Sequence, residues 1–142
     1  LEGARVDASE IEVLGASEAG IELAGADRST ISTSYVHDNA GAGIVVSGRA
    51  ATQLRQNLIA RNGTKVPKRP GVEIRELARP LLIENRIEAN GAAGVWLPSS
   101  DRADEILQWN QFGRTPRSQR VRISPAAAVS APGATATPGA GR

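Results

Sequence analysis

Apolar and polar residues alternate in four short phrases along the chain, and each phrase begins with glycine. The phrases are Gly20-Ile21-Glu22-Leu23, Gly43-Ile44-Val45-Val46, Gly71-Val72-Glu73-Ile74 and Gly94-Val95-Trp96-Leu97. Their apolar positions follow a period of two, which is typical of a strand with one buried face. No unit of the pattern contains a helical stretch. The pattern therefore predicts an all-β protein.

The phrases belong to a longer repeat. Their glycines are 23, 28 and 23 residues apart, and the surplus in the long interval lies in residues 63–69, which have a loop composition. Each phrase is followed by two further apolar positions, Ile31/Leu54/Leu82/Leu107 and Val36/Ile59/Ile87/Phe112, with a two-residue insertion at 98–102 in the last unit. One unit cannot close a core, but stacked units can. We therefore predict a parallel β-solenoid of about four to five coils, each with three short strands and these apolar columns facing inwards.

Asparagine recurs at two positions of the repeat. One column contains Asn57, Asn85 and Asn110, with Ser34 before them, and the other contains Asn39, Asn62 and Asn90. Bends between strands leave backbone groups unpaired, which is costly where water is excluded. Asparagine tolerates left-handed backbone, and its amide can bond to the bend and to the asparagine of the next coil. We interpret both columns as structural ladders at the corners of the coils.

The frame Asn-x-Ile-x-x-Asn followed by Gly-Ile/Val-x-Val/Leu resembles a known repeat. Over residues 19–113 it is similar to the right-handed parallel β-helix of the pectate-lyase-like superfamily, and closest to its carbohydrate-binding and sugar-hydrolase type. The resemblance implies a bacterial-type parent protein and an extracytoplasmic location. It does not fix the activity, because this fold hosts lyases, hydrolases, epimerases, adhesins and non-catalytic domains.

The two ends of the chain differ from the repeats and from each other. Residues 1–18 are expected to form a degenerate first coil or an N-terminal cap, and residues 114–142 a basic cap strand followed by an Ala/Pro/Gly-rich tail. The net charge of +2 combines −3 over residues 1–113 with +5 over residues 114–142. Because the chain has no Met, we expect a processed form or an excised domain. It has no 18-residue apolar run, so no membrane span is predicted.

Candidate binding residues occupy the outward positions of the glycine phrases. These are Glu22, Glu73, Trp96 and Arg75, together with the loop cations Lys65, Lys68 and Arg69. In the resembled family the active groove commonly runs along this sheet. Trp96 would stack on a sugar ring, Arg75 would pair with a uronate carboxylate, and the loop would attract an anionic polymer. Glu22 and Glu73 would be two coils apart, about 9.6 Å, at or just beyond the separation used in inverting glycoside hydrolysis.

Catalytic and metal residues are not predicted. The family's lyases use clustered acids for calcium plus a base, and its hydrolases use grouped aspartates. Asp is absent from both outward columns of the repeat, Glu22/Val45/Glu73/Trp96 and Ala24/Ser47/Arg75/Pro98. Cysteine is absent, and the single histidine, His37, is expected to lie on the surface near a corner. Neither a metal site nor a nucleophilic triad can be assembled, and no cofactor is expected.

Three functions remain open at this stage. The first is a non-catalytic interaction, sensor or carbohydrate-binding domain whose partner is a polysaccharide or another protein. The second is a polysaccharide lyase or hydrolase acting through the groove of Glu22, Glu73, Arg75 and Trp96, which requires all four to share one exposed cleft. The third is a structural solenoid that associates end to end. Nucleic acid is not expected as a partner, because the body is acidic and the basic tail lacks interleaved aromatics.

Overall fold

A computed structural model describes residues 5–125, which wind into five coils. The elements are β1 (Asp7–Ser9), β2 (Glu12–Val13), β3 (Ile21–Leu23), β4 (Thr30–Ser32), β5 (Tyr35–His37), β6 (Ile44–Val46), β7 (Gln53–Arg55), β8 (Leu58–Ala60), β9 (Val72–Ile74), β10 (Leu81–Ile83), β11 (Arg86–Glu88), β12 (Val95–Leu97), α1 (Ala103–Trp109), a 3₁₀ turn (Arg117–Gln119) and β13 (Val121–Ile123). The proposed tail over residues 126–142 lies outside the described residues.

The strands form three parallel sheets that run the length of the molecule. Sheet 1 has the order β1-β4-β7-β10, sheet 2 β2-β5-β8-β11, and sheet 3 β3-β6-β9-β12-β13. Every pair is parallel, and the register places equivalent repeat positions side by side, for example Ile44 beside Val72 and Leu54 beside Leu82. The predicted parallel β-helix is confirmed, and each of the first four coils has three strands.

The core is a tube of aliphatic side chains from all three sheets. Its most deeply buried members include Ile44, Leu54, Ile59, Val72 and Ile87, each fully shielded from solvent. Because side chains alternate along a strand, one residue of each three-residue strand in sheets 1 and 2 enters the tube, and two do so in sheet 3. Burial of side chains of this size contributes about 1.5–3 kcal/mol each before chain entropy is counted.

The fifth coil departs from the predicted strand pattern because it contains helix α1. Ile106 is fully buried and fills the position predicted for Leu107, which is 38% exposed. The prediction of Leu107 as a core residue was therefore wrong, as was that of a repeat free of helix. The segment Ala103–Trp109 is rich in good helix formers, and Asp104 and Glu105 in its first turn favour the positive end of the helix dipole.

The corners of the coils use left-handed backbone one residue before the asparagines. Positive φ values occur at Thr33, Gln56 and Glu84 before one amide column, and at Asp38 and Arg61 before the other. Among residues 5–125 no asparagine has a positive φ. The tolerance of asparagine for left-handed backbone is therefore not used at these corners, and its contribution comes from the side chain.

The asparagine side chains link successive coils. Asn57 donates from Nδ2 to Asn85 Oδ1 at 3.0 Å, and Asn85 donates to Asn110 Oδ1 at 2.9 Å. In the second column Asn39 donates to Asn62 at 2.9 Å and Asn62 to Asn90 at 3.0 Å. The same carbonyl oxygens accept backbone N–H groups of the preceding coil, so the corners remain hydrogen-bonded where strand pairing stops.

The glycines that open the first three phrases make room for this second amide column. A Cβ atom built on Gly43 would lie 2.8 Å from Asn62 Nδ2, and one on Gly71 would lie 2.6 Å from Asn90 Nδ2. Both distances are shorter than a carbon–nitrogen contact permits. The Asn and Gly positions of the repeat are therefore coupled by packing.

Candidate functional site

The outer face of sheet 3 is where the predicted site residues lie. Register places Glu22, Val45 and Glu73 in adjacent strands, followed by Trp96 and then Arg122 in β13. These side chains point away from the core tube, because their neighbours on each strand point into it. This column forms the base of the candidate site, and we call it the floor.

The loop over residues 63–70, which we call the basic loop, lies beside this floor. Its base is closed by a hydrogen bond from Arg69 N to Gly63 O at 2.9 Å, and the Arg69 carbonyl accepts Ala92 N at 2.9 Å. Gly63 has φ +60°, and a Cβ atom there would meet the Arg69 backbone oxygen at 2.6 Å. Glycine is therefore required where the loop folds back. The five extra residues of this repeat form the loop, which is one wall of the groove described below.

Glu73 is buried beneath this loop rather than exposed in an open cleft. It is 4% exposed, and each of its carboxylate oxygens accepts a guanidinium hydrogen bond, Oε1 from Arg69 at 2.6 Å and Oε2 from Arg75 at 2.8 Å. The bond to Glu73 raises the pKa of Arg75, with burial opposing it and Glu22 adding a smaller effect. Arg69 and Arg75 are therefore held in position by one buried carboxylate.

Trp96 is covered as well. Its side chain is 9% exposed, and the Arg69 guanidinium lies over the indole at 5.2 Å from the ring centroid. A cation on an aromatic face gives about 0.5–2 kcal/mol of attraction. Trp96 therefore anchors the basic loop, and its face is not open to a sugar ring.

The accessible part of the site is a groove of about 500 Å³ between the basic loop and the turns of the first two coils. It is lined by Ser17, Glu18, Ala19, Glu22, Ala40, Gly41, Ala42, Val45, Lys65, Val66, Pro67, Arg69 and Arg75. Of the predicted residues, the groove brings together Glu22, Lys65, Arg69 and Arg75. Lys68, Glu73 and Trp96 do not line it.

Charge in the groove is divided between its two sides. Glu18 and Glu22 belong to the first coil, whereas Lys65, Arg69 and Arg75 belong to the third, with Val45 of the second coil between them. Val66, at the tip of the basic loop, is 89% exposed. The arrangement offers hydrogen-bond acceptors on one side, donors on the other and the exposed apolar side chain of Val66 on the loop, whereas Val45 between the two sides is only 3% exposed.

Sequence reasoning did not select Glu18, Val45, Val66 or Pro67. The sequence did contain one signal for this region. Val45 is aliphatic although it occupies an outward position, and an outward position that is fully exposed to solvent usually carries a polar residue. Val66 and Pro67 lie within the loop whose cations were selected, and only their placement beside the groove makes them part of it.

His37 lies on the outer face of sheet 2, away from the groove, and it is not a surface residue as expected. It is 7% exposed, stacks on Tyr35 at 3.8 Å between ring centroids, and is bonded through Nε2 to Glu12 at 2.6 Å and through Nδ1 to Asp38. Tyr35, two residues earlier on the same face of β5, and Glu12 of the first coil cover the ring. Asp38 also pairs with Arg61 at 3.0 Å.

The His37 cluster is unsuited to acid–base or nucleophilic chemistry. Both ring nitrogens are engaged by carboxylates, so neither is available to a substrate or an adjacent nucleophile. Within residues 5–125 no group of three His, Cys, Asp or Glu side chains is arranged to hold a metal ion. No helix in that part of the chain is long and apolar enough to cross a membrane.

Stacked parallel coils, corner asparagines and an outward groove on one sheet define this molecule as a parallel β-helix protein. A comparison with protein families matches residues 2–113 to the right handed beta helix region, and the chain belongs to this family. Comparisons with curated proteins and with solved structures found no match.

Proposed function

We propose that this chain is a non-catalytic glycan-binding domain and that the groove on sheet 3 is its binding site. The observation that carries the proposal is the groove itself, in which carboxylates of the first coil face cations of the third and the exposed side chain of Val66 lies on the wall formed by the basic loop. Sugars present hydroxyl groups around an apolar ring face, and a site with separated donors and acceptors beside an exposed apolar side chain matches that chemistry.

The pairing of Glu73 favours binding over catalysis. General acid–base chemistry requires a carboxylate within hydrogen-bond reach of the substrate. Both oxygens of Glu73 are held by arginines beneath the basic loop, and Trp96 is covered. The cleft required by the lyase or hydrolase alternative, with Glu22, Glu73, Arg75 and Trp96 exposed together, is therefore not supported.

Lys65 and Lys68 provide a matched pair of variants for testing the site. Both are exposed lysines of the basic loop, but only Lys65 lines the groove. We expect Lys65→Glu to weaken binding about tenfold, because it replaces an attractive charge by a repulsive one at a contact, and Lys68→Glu to have less than about a twofold effect. Affinity electrophoresis against neutral and uronate-containing polysaccharides, followed by titration calorimetry on any ligand found, measures both.

Three results would contradict the proposal. The first is no binding to any polymer in the panel, and the second is equal loss in the two lysine variants. The third is release of reducing or unsaturated sugar ends by the chain, which would restore the enzymatic alternative.

A further inference from the structure

The second amide column stops at Asn90, although the chain forms a further coil above it. The bridge from Arg86 to Gln111 gives an offset of 25 residues between the fourth and fifth coils, so the position equivalent to Asn90 is Thr115. The Thr115 amide donates to Phe112 O at 2.9 Å, so the backbone turns at this point. A threonine hydroxyl is also one bond closer to its backbone than the Oδ1 of an asparagine. The fifth coil therefore supplies no amide oxygen to this column.

Asn90 is left with two hydrogen-bond donors that the repeat satisfies elsewhere. In Asn39 and Asn62 the backbone N–H and one Nδ2 hydrogen both donate to the Oδ1 of the next coil, at 2.9–3.2 Å. Asn90 Nδ2 donates back to Ile59 O at 3.0 Å, but within residues 5–125 its backbone N–H and its second Nδ2 hydrogen have no acceptor. Because Asn90 is half-buried, both donors favour an acceptor supplied from outside the chain.

The two donors of Asn90 lie at a cavity of about 560 Å³ between the turn of residues 89–93 and the segment 114–119. In Asn39 and Asn62 the same donors point towards the next coil, so those of Asn90 point towards Thr115, and both residues line this cavity. Its volume is typical of a small-molecule site. It shares no lining residue with the groove on sheet 3, so it is a separate candidate site.

Charge around the cavity favours an anion. Arg114 lines it, is exposed to solvent and makes no ion pair within residues 5–125. Arg86 and Glu88 line it as well, but they pair with each other at 2.9 Å. The lining side chains therefore carry one uncompensated positive charge, at Arg114. Ala89 and Pro116, which are also exposed, add small apolar surfaces beside it.

We propose that this cavity binds a small molecule that carries a carboxylate. One carboxylate oxygen takes the position of the missing Oδ1 and accepts both donors of Asn90, and the Arg114 guanidinium pairs with the carboxylate from the fifth coil. A carboxylate suits both partners, because its oxygens are bonded to a planar carbon like the amide oxygens of the column, and because its shape matches the fork of a guanidinium. Apolar contact with Ala89 and Pro116 favours an organic acid over an inorganic anion.

Cyclohexanecarboxylate is a suitable probe, and cyclohexanecarboxamide is its neutral match in shape. We expect nitrogen–proton correlation NMR spectra of the whole chain, titrated with the acid, to show saturable shifts of the backbone and side-chain amide signals of Asn90. The amide is expected to bind at least about tenfold more weakly, because it offers an acceptor to Asn90 but no charge to Arg114. Inorganic sulfate is expected to bind more weakly than the acid.

Arg114 and Arg117 provide a matched pair of variants. Both are exposed arginines of the fifth coil, but only Arg114 lines the cavity. Arg114→Gln is expected to weaken binding of the acid at Asn90 about tenfold, and Arg117→Gln to change it by less than about twofold. Lys65→Glu, which tests the groove on sheet 3, is expected to leave binding at Asn90 unchanged, so the two sites are tested independently.

The proposal is overturned if the Asn90 signals show no saturable shift with the acid, because water alone would then satisfy its donors. Equal affinity for the acid and its amide would remove the role of charge, and tighter binding of sulfate than of the acid would remove the assignment to a carboxylate. Equal loss in the two arginine variants would place the binding outside this cavity.

Discussion

Asn85 shows how a single side chain stabilises three successive coils. Its Nδ2 donates to Leu54 O at 2.8 Å and to Asn110 Oδ1 at 2.9 Å. Its Oδ1 accepts Asn57 N and Asn57 Nδ2, both at 3.0 Å. The residue is 1% exposed, so water cannot replace these four bonds if the amide is removed.

Asn85→Ala is therefore expected to lower the free energy of unfolding by about 3–5 kcal/mol, because several buried polar groups lose their partners at about 1–3 kcal/mol each. Urea denaturation monitored by circular dichroism measures the change. Gln108→Ala, which also removes an amide but from an exposed position on α1, is expected to change stability by less than about 0.5 kcal/mol. A loss below about 1 kcal/mol at Asn85 would show that the column contributes little.

The chemical type of a residue allowed the structural role of some positions to be predicted from the sequence, but not that of others. The inward aliphatics recur in chemical type, so their columns were readable from the repeat. The left-handed residues Thr33, Arg61 and Ala89 share no side-chain chemistry, because the corner imposes their backbone conformation. Glu73 and Trp96 were correctly placed outward, but their burial depends on how the basic loop folds, which local pattern does not specify.

Strand β5 is the element whose stability depends on a titrating group. The pKa of His37 is raised above its usual 6.5, chiefly by its hydrogen bond to Asp38, with burial opposing this and Glu12 adding to it. Glu12 belongs to β2, so the protonated ring joins β5 to the first coil. Asp38 is in turn held by Arg61, which is the main reason that the pKa of this carboxyl is lowered.

Stability is therefore expected to fall as the pH rises above about 6.5. Because the folded-state pKa of His37 is the higher one, its contribution is complete below the unfolded value of 6.5 and is lost as the pH rises through the folded-state value. Urea midpoints measured between pH 5.5 and 9 would follow this decline. His37→Gln is expected to flatten the profile; a parent protein whose stability rises over this interval would contradict the assignment.

Helix α1 is an element that the repeat pattern did not predict. The alignment required a two-residue insertion before Leu107, and the structure uses those residues to enter a helix. A helix advances 1.5 Å per residue and a strand about 3.3 Å, so a helical segment needs more residues to cross the same side of a coil. Helical propensity in Ala103–Trp109 was visible in the sequence, but the repeat pattern outweighed it.

At the scale of the whole molecule, each coil contacts only its neighbours. Stability in such a stack is the sum of coil and interface terms, so a terminal coil with one neighbour opens most easily. The first coil combines the two-residue strand β2 with exposed Val6, Ile11 and Leu14, whereas the second to fourth coils have three-residue strands in all three sheets.

Amide hydrogen exchange is expected to follow this order. The amide of Tyr35, which bonds across to the first coil at Ile11, should exchange at least about 100-fold faster than those of Ile44 and Val72 in the middle of sheet 3. The comparison controls for strand geometry, because all three amides donate to a neighbouring coil. Uniform exchange along the axis would show that the coils open together.

The basic loop has a consequence for how this architecture can diversify. It leaves the stack at one corner and returns to it six residues later, so the rungs above and below are unaffected by what lies between Gly63 and Arg69. Replacing the residues between Gly63 and Arg69 would change one wall of the groove and would leave the buried aliphatic side chains and the amide columns in place. A solenoid of this kind can therefore acquire new ligand preferences by exchanging one peripheral segment, at little risk to folding.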